Sequence, residues 1–185
     1  MSEPAKRLLL DPSGVTGAVE DLAGQINSGT PAGKRLTLIG IYHRGVPLAE
    51  RLAAAIAKRG DHEVQCGSID ITQYRDDLDR FAVAPKLYGS DIPFSIDDEH
   101  VILCDEVVYT GRSVRAALDE LLHHGRPSRV QLAALVDRAG RELPIQPDFV
   151  ALTVEVADDE RVAVRFTEVD DQDAVMIMAA KEGAS

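Results

Sequence analysis

The segment Val101-Ile102-Leu103-Cys104-Asp105-Glu106-Val107-Val108-Tyr109-Thr110-Gly111-Arg112-Ser113 sets two adjacent carboxylates at the end of an apolar run and a Thr-Gly-Arg-Ser turn shortly after. An apolar run of this kind reads as a buried strand, and the turn as the opening of a helix. A helix N-terminus exposes unpaired N–H groups at the positive end of its dipole, which suits phosphate. Gly111 lets backbone approach an anion closely, and the Thr110 and Ser113 hydroxyls can donate to phosphate oxygens. Asp105 and Glu106, just upstream, suit the vicinal hydroxyls of a ribose or the water shell of a bound Mg²⁺. The alternative is a plain strand–loop–helix unit with solvated acids and a Thr or Ser that caps the helix.

These residues need a scaffold, and the pattern around them supplies one. Asp11-Pro12 marks a helix start, with Val15, Val19, Leu22 and Ile26 on one face. A Gly/Pro-rich break over 28–33 precedes the strand Leu36–Ile41, and a second helix opens at Val46-Pro47 with Leu48, Leu52 and Ile56 as its stripe and Gly60 as its stop. Val64–Ile71 reads as another strand. The third helix carries Val114, Leu118, Leu121 and Leu122 inward and closes at Gly125; Val130–Val136, Phe149–Val154, an alternating tail from Arg161 and Ala174–Met178 complete the strand candidates. Strands alternating with helices predict an α/β domain built on a mainly parallel sheet. The stretch 74–99 holds no period and is punctuated by Pro85, Gly89 and Pro93; a loop of that length is functional or mobile.

Composition narrows the class. The chain has 185 residues, 31 Asp+Glu against 20 Lys+Arg and a formal net charge of −11, which fits one globular domain and argues against a general nucleic-acid binder. No apolar run approaches the roughly 18–20 residues of a membrane span. The opening MSEPAKRLLLDP lacks the apolar core of a secretory signal, so a cytoplasmic protein is expected. Cys66 and Cys104 lie in apolar runs without metal-ligand spacing and read as free buried thiols. His62, His100, His123 and His124 read as surface histidines.

The 101–113 segment resembles the phosphoribosyl-pyrophosphate (PRPP) signature of type I phosphoribosyltransferases. Three further segments, 40–49 (Gly-Ile-Tyr-His-Arg-Gly-Val-Pro-Leu-Ala), 70–78 (Asp-Ile-Thr-Gln-Tyr-Arg-Asp-Asp-Leu) and 135–145 with Leu-Val-Asp-Arg and Arg-Glu-Leu-Pro-Ile, are similar to one subfamily, the bifunctional pyrimidine operon regulator/uracil phosphoribosyltransferases. The likeness runs almost end to end and includes Glu168-Val169-Asp170. The resemblance implies a type I phosphoribosyltransferase fold over 1–185, a central sheet flanked by helices with a flexible flap over about 75–99 and a hood. It implies transfer of ribose 5-phosphate from PRPP to uracil, giving UMP and pyrophosphate, with Mg²⁺ carried by PRPP and no direct protein ligand, and a homodimer or homotetramer. Residue by residue, it gives Asp105 and Glu106 the ribose hydroxyls, directly or through metal-bound water; Val107, Val108, Tyr109, Thr110, Gly111, Arg112 and Ser113 the 5′-phosphate; His43 and Arg44 the pyrophosphate; Arg75 a place at the start of the flap, among the catalytic residues; Asp137 and Arg138 the nucleotide. Read without it, Arg44 is a surface arginine, Arg75-Asp76-Asp77 a solvated charge cluster and Arg138 a strand-end ion-pair partner.

Three departures from the subfamily pattern carry expectations. Glu106 stands where Asp is usual, moving the carboxylate about 1.5 Å. Tyr42-His43 replaces Lys-Thr before Arg44, removing a fixed positive charge and predicting weaker PRPP affinity. The first helix carries Glu20 and Asp21 with no Lys or Arg from Val15 to Gly33, and Asp148, Asp158 and Asp159 fall where the regulators carry a basic RNA-binding face. Phosphate contacts need Lys or Arg, so RNA binding in the subfamily's manner is not expected unless it has moved to Lys6, Arg7, Lys34 and Arg35. The competing reading is a UMP-sensing, RNA-binding attenuator with weak or no transferase activity.

Overall fold

A computed structural model describes residues 5–74 and 88–180. The strands are β1 (Ala5–Leu10), β2 (Leu36–Ile41), β3 (Val64–Ile69), β4 (His100–Val108), β5 (Arg129–Arg138), β6 (Phe149–Val154), β7 (Glu160–Arg165) and β8 (Ala174–Ala179). The helices are α1 (Pro12–Gly29), α2 (Gly45–Arg59), α3 (Arg112–Leu121) and the short α4 (Thr167–Asp170), with a 3₁₀ turn at Thr72–Tyr74.

Five strands form a parallel sheet in the order β3-β2-β4-β5-β6. Its central strands are apolar on both faces because both faces are covered. Leu36, Leu38, Ile102 and Cys104 pack with α1 and α2 through Leu22, Ile26, Leu48 and Leu52. Ile39, Ile41, Val101 and Leu103 pack with α3 through Val114, Ala116, Ala117 and Leu121. Asp11 caps α1 by accepting from the Gly14 N–H at 2.8 Å, and Gly60 closes α2 in the left-handed region at φ 77°.

The remaining strands make an antiparallel hood, β1-β8-β7. Here the structure adds two features that the sequence reading did not address. Arg7–Leu10 lies within a strand that pairs with β8, although the segment is too short and too irregular to announce itself: its register shifts twice in six residues. The β7 alternation is real, but Val164 and Phe166 face the main core beside Val175. Two side chains also differ from expectation. Leu122 is 59% exposed because α3 ends at Leu121 and the last apolar residue falls past the helix. His62 is buried, its Nδ1 2.9 Å from the Lys34 carbonyl, so it closes the α2–β3 connection instead of facing solvent. Cys66 and Cys104 are free thiols, Cys104 fully buried and Cys66 partly so. No described helix is long and apolar enough to cross a membrane.

Candidate active site

The strand order fixes where a ligand belongs. The chain runs from β2 outward to β3, then returns past β2 to β4 and continues the other way, so the order reverses between β2 and β4. In open α/β sheets the crevice lies outside the carboxyl ends of such a pair. The turn Tyr42–Arg44 leaves β2 there, and Asp105 to Ser113 leaves β4 beside it.

The turn after β2 is packed tightly against the sheet. A Cβ on Gly40 would lie 2.5 Å from the Gly45 carbonyl oxygen, and one on Gly45 would lie 2.4 Å from the Cys104 carbonyl oxygen. Only glycine at both positions lets this turn touch β4. The Tyr42-His43 peptide is cis. Arg44 makes a fork with Asp170 of the hood, its Nε and Nη2 donating at 2.9 and 2.6 Å. That bond holds the guanidinium's pKa above its ordinary value and, in turn, pulls the Asp170 carboxyl below its own. Tyr42 stacks on Tyr88 at 5.2 Å and 13°, and His43 meets the same ring edge-on at 4.6 Å. Tyr88 is held by Asp70 at the end of β3, whose Oδ2 accepts from the Tyr88 and Gly89 N–H groups at 2.6 and 3.1 Å while Oδ1 takes the Thr72 N–H and hydroxyl.

At the end of β4, Asp105 is buried and Glu106 half-buried. Burial pushes the Asp105 carboxyl well above its usual range, and the neighbouring Glu106 charge adds to it. The loop then turns through Gly111, at φ 91°, into α3, whose N-terminus has no side-chain cap. The Arg112 N–H makes only a long bond to the Thr110 hydroxyl at 3.4 Å, so the start of α3 can still turn its N–H groups to an anion. A second loop backs this one: Glu142 and Leu143 N–H donate to the Thr110 carbonyl at 3.1 and 3.0 Å, and Arg112 pairs with Glu142 at 2.7 Å. Arg141 donates to the Tyr109 carbonyl and, at 2.5 Å, to Asp137, which also accepts from Gln146 at 3.0 Å. Arg138 lies over the Tyr109 ring at 3.8 Å.

Residues 9–171 match the phosphoribosyl transferase domain family. The "Bifunctional protein PyrR" of Pelotomaculum thermopropionicum is 43% identical over 177 residues, 96% of this chain and 98% of that one. Its namesake "Bifunctional protein PyrR 1" from Lactiplantibacillus plantarum is 50% identical over 149 residues, 80% and 83% of the two chains. The chain belongs to the phosphoribosyl transferase family, among the bifunctional PyrR proteins. Two solved structures share the fold at 18% identity: the hypoxanthine phosphoribosyl transferase of Trypanosoma cruzi, TM-score 0.72 over 96% of this chain and 93% of that one, and the Leishmania tarentolae HGPRT-ase in complex with GMP, TM-score 0.69 over 96% and 98%.

Within this phosphoribosyl transferase domain, the structure brings His43, Arg44, Asp105, Glu106 and the 107–113 loop to the same crevice, with Asp137 and Arg138 on its β5 side. Arg75 falls outside the described residues. Several site residues escaped the sequence reading. Asp70 and Tyr88 lie 18 residues apart with nothing in spacing to join them. Arg141 sits in a segment read only as a family likeness, and Gln146 lies one residue past it. Arg161 and Arg165 looked like the polar half of an alternating strand, yet with Arg44, Glu106 and Asp170 they line a cleft of about 450 Å³ between hood and sheet. Glu168-Val169-Asp170 was visible as a motif; its partnership with Arg44 needed the fold.

The acidic surface also changes meaning. Glu20 is paired with Arg59 at 3.1 Å, and Asp148 accepts from the Leu132 N–H and the Gln131 amide. Both carboxylates serve the fold.

Proposed function

We propose that the protein is a uracil phosphoribosyltransferase, moving ribose 5-phosphate from PRPP to N1 of uracil and releasing pyrophosphate. One observation carries the reading. Adjacent carboxylates and an uncapped helix N-terminus at the end of β4 stand beside Arg44 of the β2 turn, at the place where the strand order reverses. PRPP needs these three provisions together: acceptors for its ribose hydroxyls, donors for its 5′-phosphate and a cation for its pyrophosphate. Among these bifunctional relatives, uracil is the acceptor that the resemblance implies.

In this reading the N–H groups of the 109–113 loop and the start of α3 hold the 5′-phosphate, fixing the sugar. Asp105 and Glu106 accept from the ribose hydroxyls. Burial, with the neighbouring Glu106 charge adding to it, lifts the Asp105 carboxyl, and such donors or a cation offset both. Two hard oxygen donors side by side fit Mg²⁺ reached through water, whereas no cluster of three or more metal-ligating side chains occurs among the described residues. Magnesium arriving with PRPP supplies charge neutralisation on the pyrophosphate. Arg44, oriented by Asp170, stabilises the charge that grows on the departing pyrophosphate as the bond to the sugar carbon lengthens. The uracil N1 lone pair closes the new bond as the sugar–pyrophosphate bond breaks, and the N1 proton passes to water. Asp137 and Arg138 stand where the nucleotide is approached, and Arg75 with the flap belongs to the same reading. A cytoplasmic site of action and a dimer or tetramer follow from the resemblance.

The test is PRPP consumption with Mg²⁺ across uracil, hypoxanthine, guanine, adenine, xanthine and orotate. Turnover with uracil alone is expected; turnover with a purine alone overturns the acceptor. The relatives' "bifunctional" name favours a second reading as a UMP-responsive RNA-binding regulator. No Lys or Arg lies on α1 after its start, and Asp158 and Asp159 are exposed at the β6–β7 turn, so we expect RNA binding in that manner to be absent. A gel shift with pyrimidine-leader RNA, with and without UMP, checks this: UMP-dependent nanomolar binding refutes it.

A further inference from the structure

We propose that Asp137 and Arg141 are positioning residues of the 5′-phosphate loop, holding the peptides of Tyr109–Gly111 so that their N–H groups face the phosphate; the inference rests on the phosphoribosyltransferase reading above. Asp137, near the end of β5, is buried with both carboxylate oxygens engaged. Its Oδ1 accepts from Arg141 Nη2 at 2.5 Å and its Oδ2 from the Gln146 amide at 3.0 Å. Arg141 donates through its other terminal nitrogen to the Tyr109 carbonyl. Its Nε is shielded from solvent, so the guanidinium acts on the loop and not on a ligand.

The planarity of the peptide carries that hold to the site. A trans peptide sets its C=O and N–H on opposite sides, and the only cis bond among the described residues is Tyr42-His43. The Tyr109 carbonyl, turned to Arg141, therefore sends the Thr110 N–H the other way. The Thr110 carbonyl accepts from the Glu142 and Leu143 N–H groups at 3.1 and 3.0 Å, which turns the Gly111 N–H to the same side. Among the described residues neither the Thr110 nor the Gly111 N–H has a hydrogen-bond partner. Successive N–H groups aimed to one side make a concave seat for an anion. Side chains close in behind the turn: a Cβ on Gly111 would lie 3.4 Å from the Leu143 and Ile145 side chains and 3.6 Å from Arg141 Cδ. One on Gly140 would lie 2.4 Å from Tyr109 Cε2, so only glycine lets the backing loop lie against that ring. Stability alone does not ask for the Asp137–Arg141 pair, since apolar residues of like volume replace a buried ion pair at little cost. What an apolar pair cannot do is hold the Tyr109 carbonyl.

The experiment is calorimetric titration of the full chain with two probes, ribose 5-phosphate and magnesium pyrophosphate, alongside steady-state kinetics. The first probe carries the 5′-phosphate and the second lacks it. The proteins are wild type, Arg141→Met, Arg141→Lys, the double variant Asp137→Asn/Arg141→Met and Arg129→Gln, an exposed residue at the amino end of β5. Methionine keeps the stem beside Gly111 and loses both bonds, and the double variant leaves no buried carboxylate unpaired. Arg141→Met is expected to raise the ribose 5-phosphate Kd about tenfold, and KM for PRPP with it, while the magnesium pyrophosphate Kd stays within error. The double variant is expected to match Arg141→Met, because the two residues act as one unit. Lys can hold the carbonyl or the carboxylate but not both, so it falls between, and Arg129→Gln changes nothing. Unchanged ribose 5-phosphate affinity in Arg141→Met overturns the positioning role even if uracil is turned over. An equal loss for both probes overturns it too, being the mark of a merely structural residue. Ribose 5-phosphate affinity that depends on Arg141, with no base turned over, sinks the transferase reading and leaves the positioning role standing. If Arg141→Met does not fold, the double variant and Lys decide by the same two probes; ribose 5-phosphate affinity equal to wild type in both refutes the proposal.

Discussion

Arg44 enters the crevice already committed to a partner. Its fork with Asp170 uses Nε and Nη2, which leaves Nη1 to reach into the cleft and fixes the plane of the guanidinium from the hood side. An ammonium offers one donor head on a flexible stem and cannot reproduce that fork. Arg44→Lys therefore keeps the charge and loses the orientation. A charge-assisted bond is worth about 1.5–3 kcal/mol, so kcat/KM for PRPP is expected to fall about 10- to 100-fold while KM for uracil changes little. Steady-state kinetics with PRPP varied at saturating uracil reads the split. A loss confined to uracil would remove Arg44 from the pyrophosphate side. Tyr42 shows the other use a turn residue can have. In place of a cation it presents a ring to Tyr88, so the turn gains a packed brace where the resembling proteins have charge.

Among the elements, the strands of the parallel sheet were the most legible. Leu36–Ile41 and Val101–Cys104 are unbroken apolar runs because α1 and α2 cover one face and α3 the other. The helices followed from 3.6-residue stripes bounded by Asp11, Gly60 and a Pro at an early helical position. The half of the candidate site that travels on these elements, from Asp105 to Ser113 and at Arg44, could be placed from the sequence, since each residue sits next to its strand in the chain. What stayed hidden was whatever two distant elements make together. Asp70 ends β3, and its carboxylate accepts from Thr72 on one side and from Tyr88 and Gly89 on the other. Burial alone would raise that carboxyl, but these hydrogen bonds hold it below its ordinary value, so it remains an ionised clasp at neutral pH. The clasp braces Tyr88, and Tyr88 braces the turn after β2. No periodicity encodes a contact across that many residues. The hood was obscured for a related reason: β1 and β8 come from opposite ends of the sequence, and only their pairing joins them with β7 in one sheet.

At the scale of the molecule, the hood must keep its place over the sheet for any cleft to exist between them, and Arg51 of α2 is the rivet. Its guanidinium forks onto Glu168 at 2.8 and 2.6 Å and onto Asp173 at 2.7 and 2.8 Å, while its plane lies 4.8 Å from the Phe166 ring. The bond from Arg51, with those from Thr167, pulls the Asp173 carboxyl down to about 2 from its ordinary 3.8. Glu168 is lowered in the same direction by the same guanidinium. A carboxyl whose pKa is depressed on folding stabilises the fold fully above its unfolded pKa and loses that contribution as pH falls through the folded value. The Asp173 contribution is thus complete above about pH 5 and fades toward pH 2. Its size is about 2 kcal/mol by the ordinary conversion, which for a domain of this length corresponds to about 4–8 °C in Tm. Arg51→Met keeps the aliphatic packing on Phe166 and removes both forks. Its melting temperature at pH 7 is expected to lie below that of wild type by this amount, and the gap is expected to narrow by about half at pH 3, where the unfolded chain has taken up the Asp173 proton while the folded wild type still holds the carboxylate ionised. Thermal melts of both proteins from pH 7 to pH 3 measure the gap directly. A gap that stays constant with pH would take the Asp173 charge out of the account, and the hood would then be held chiefly by the Val164, Phe166 and Val175 face.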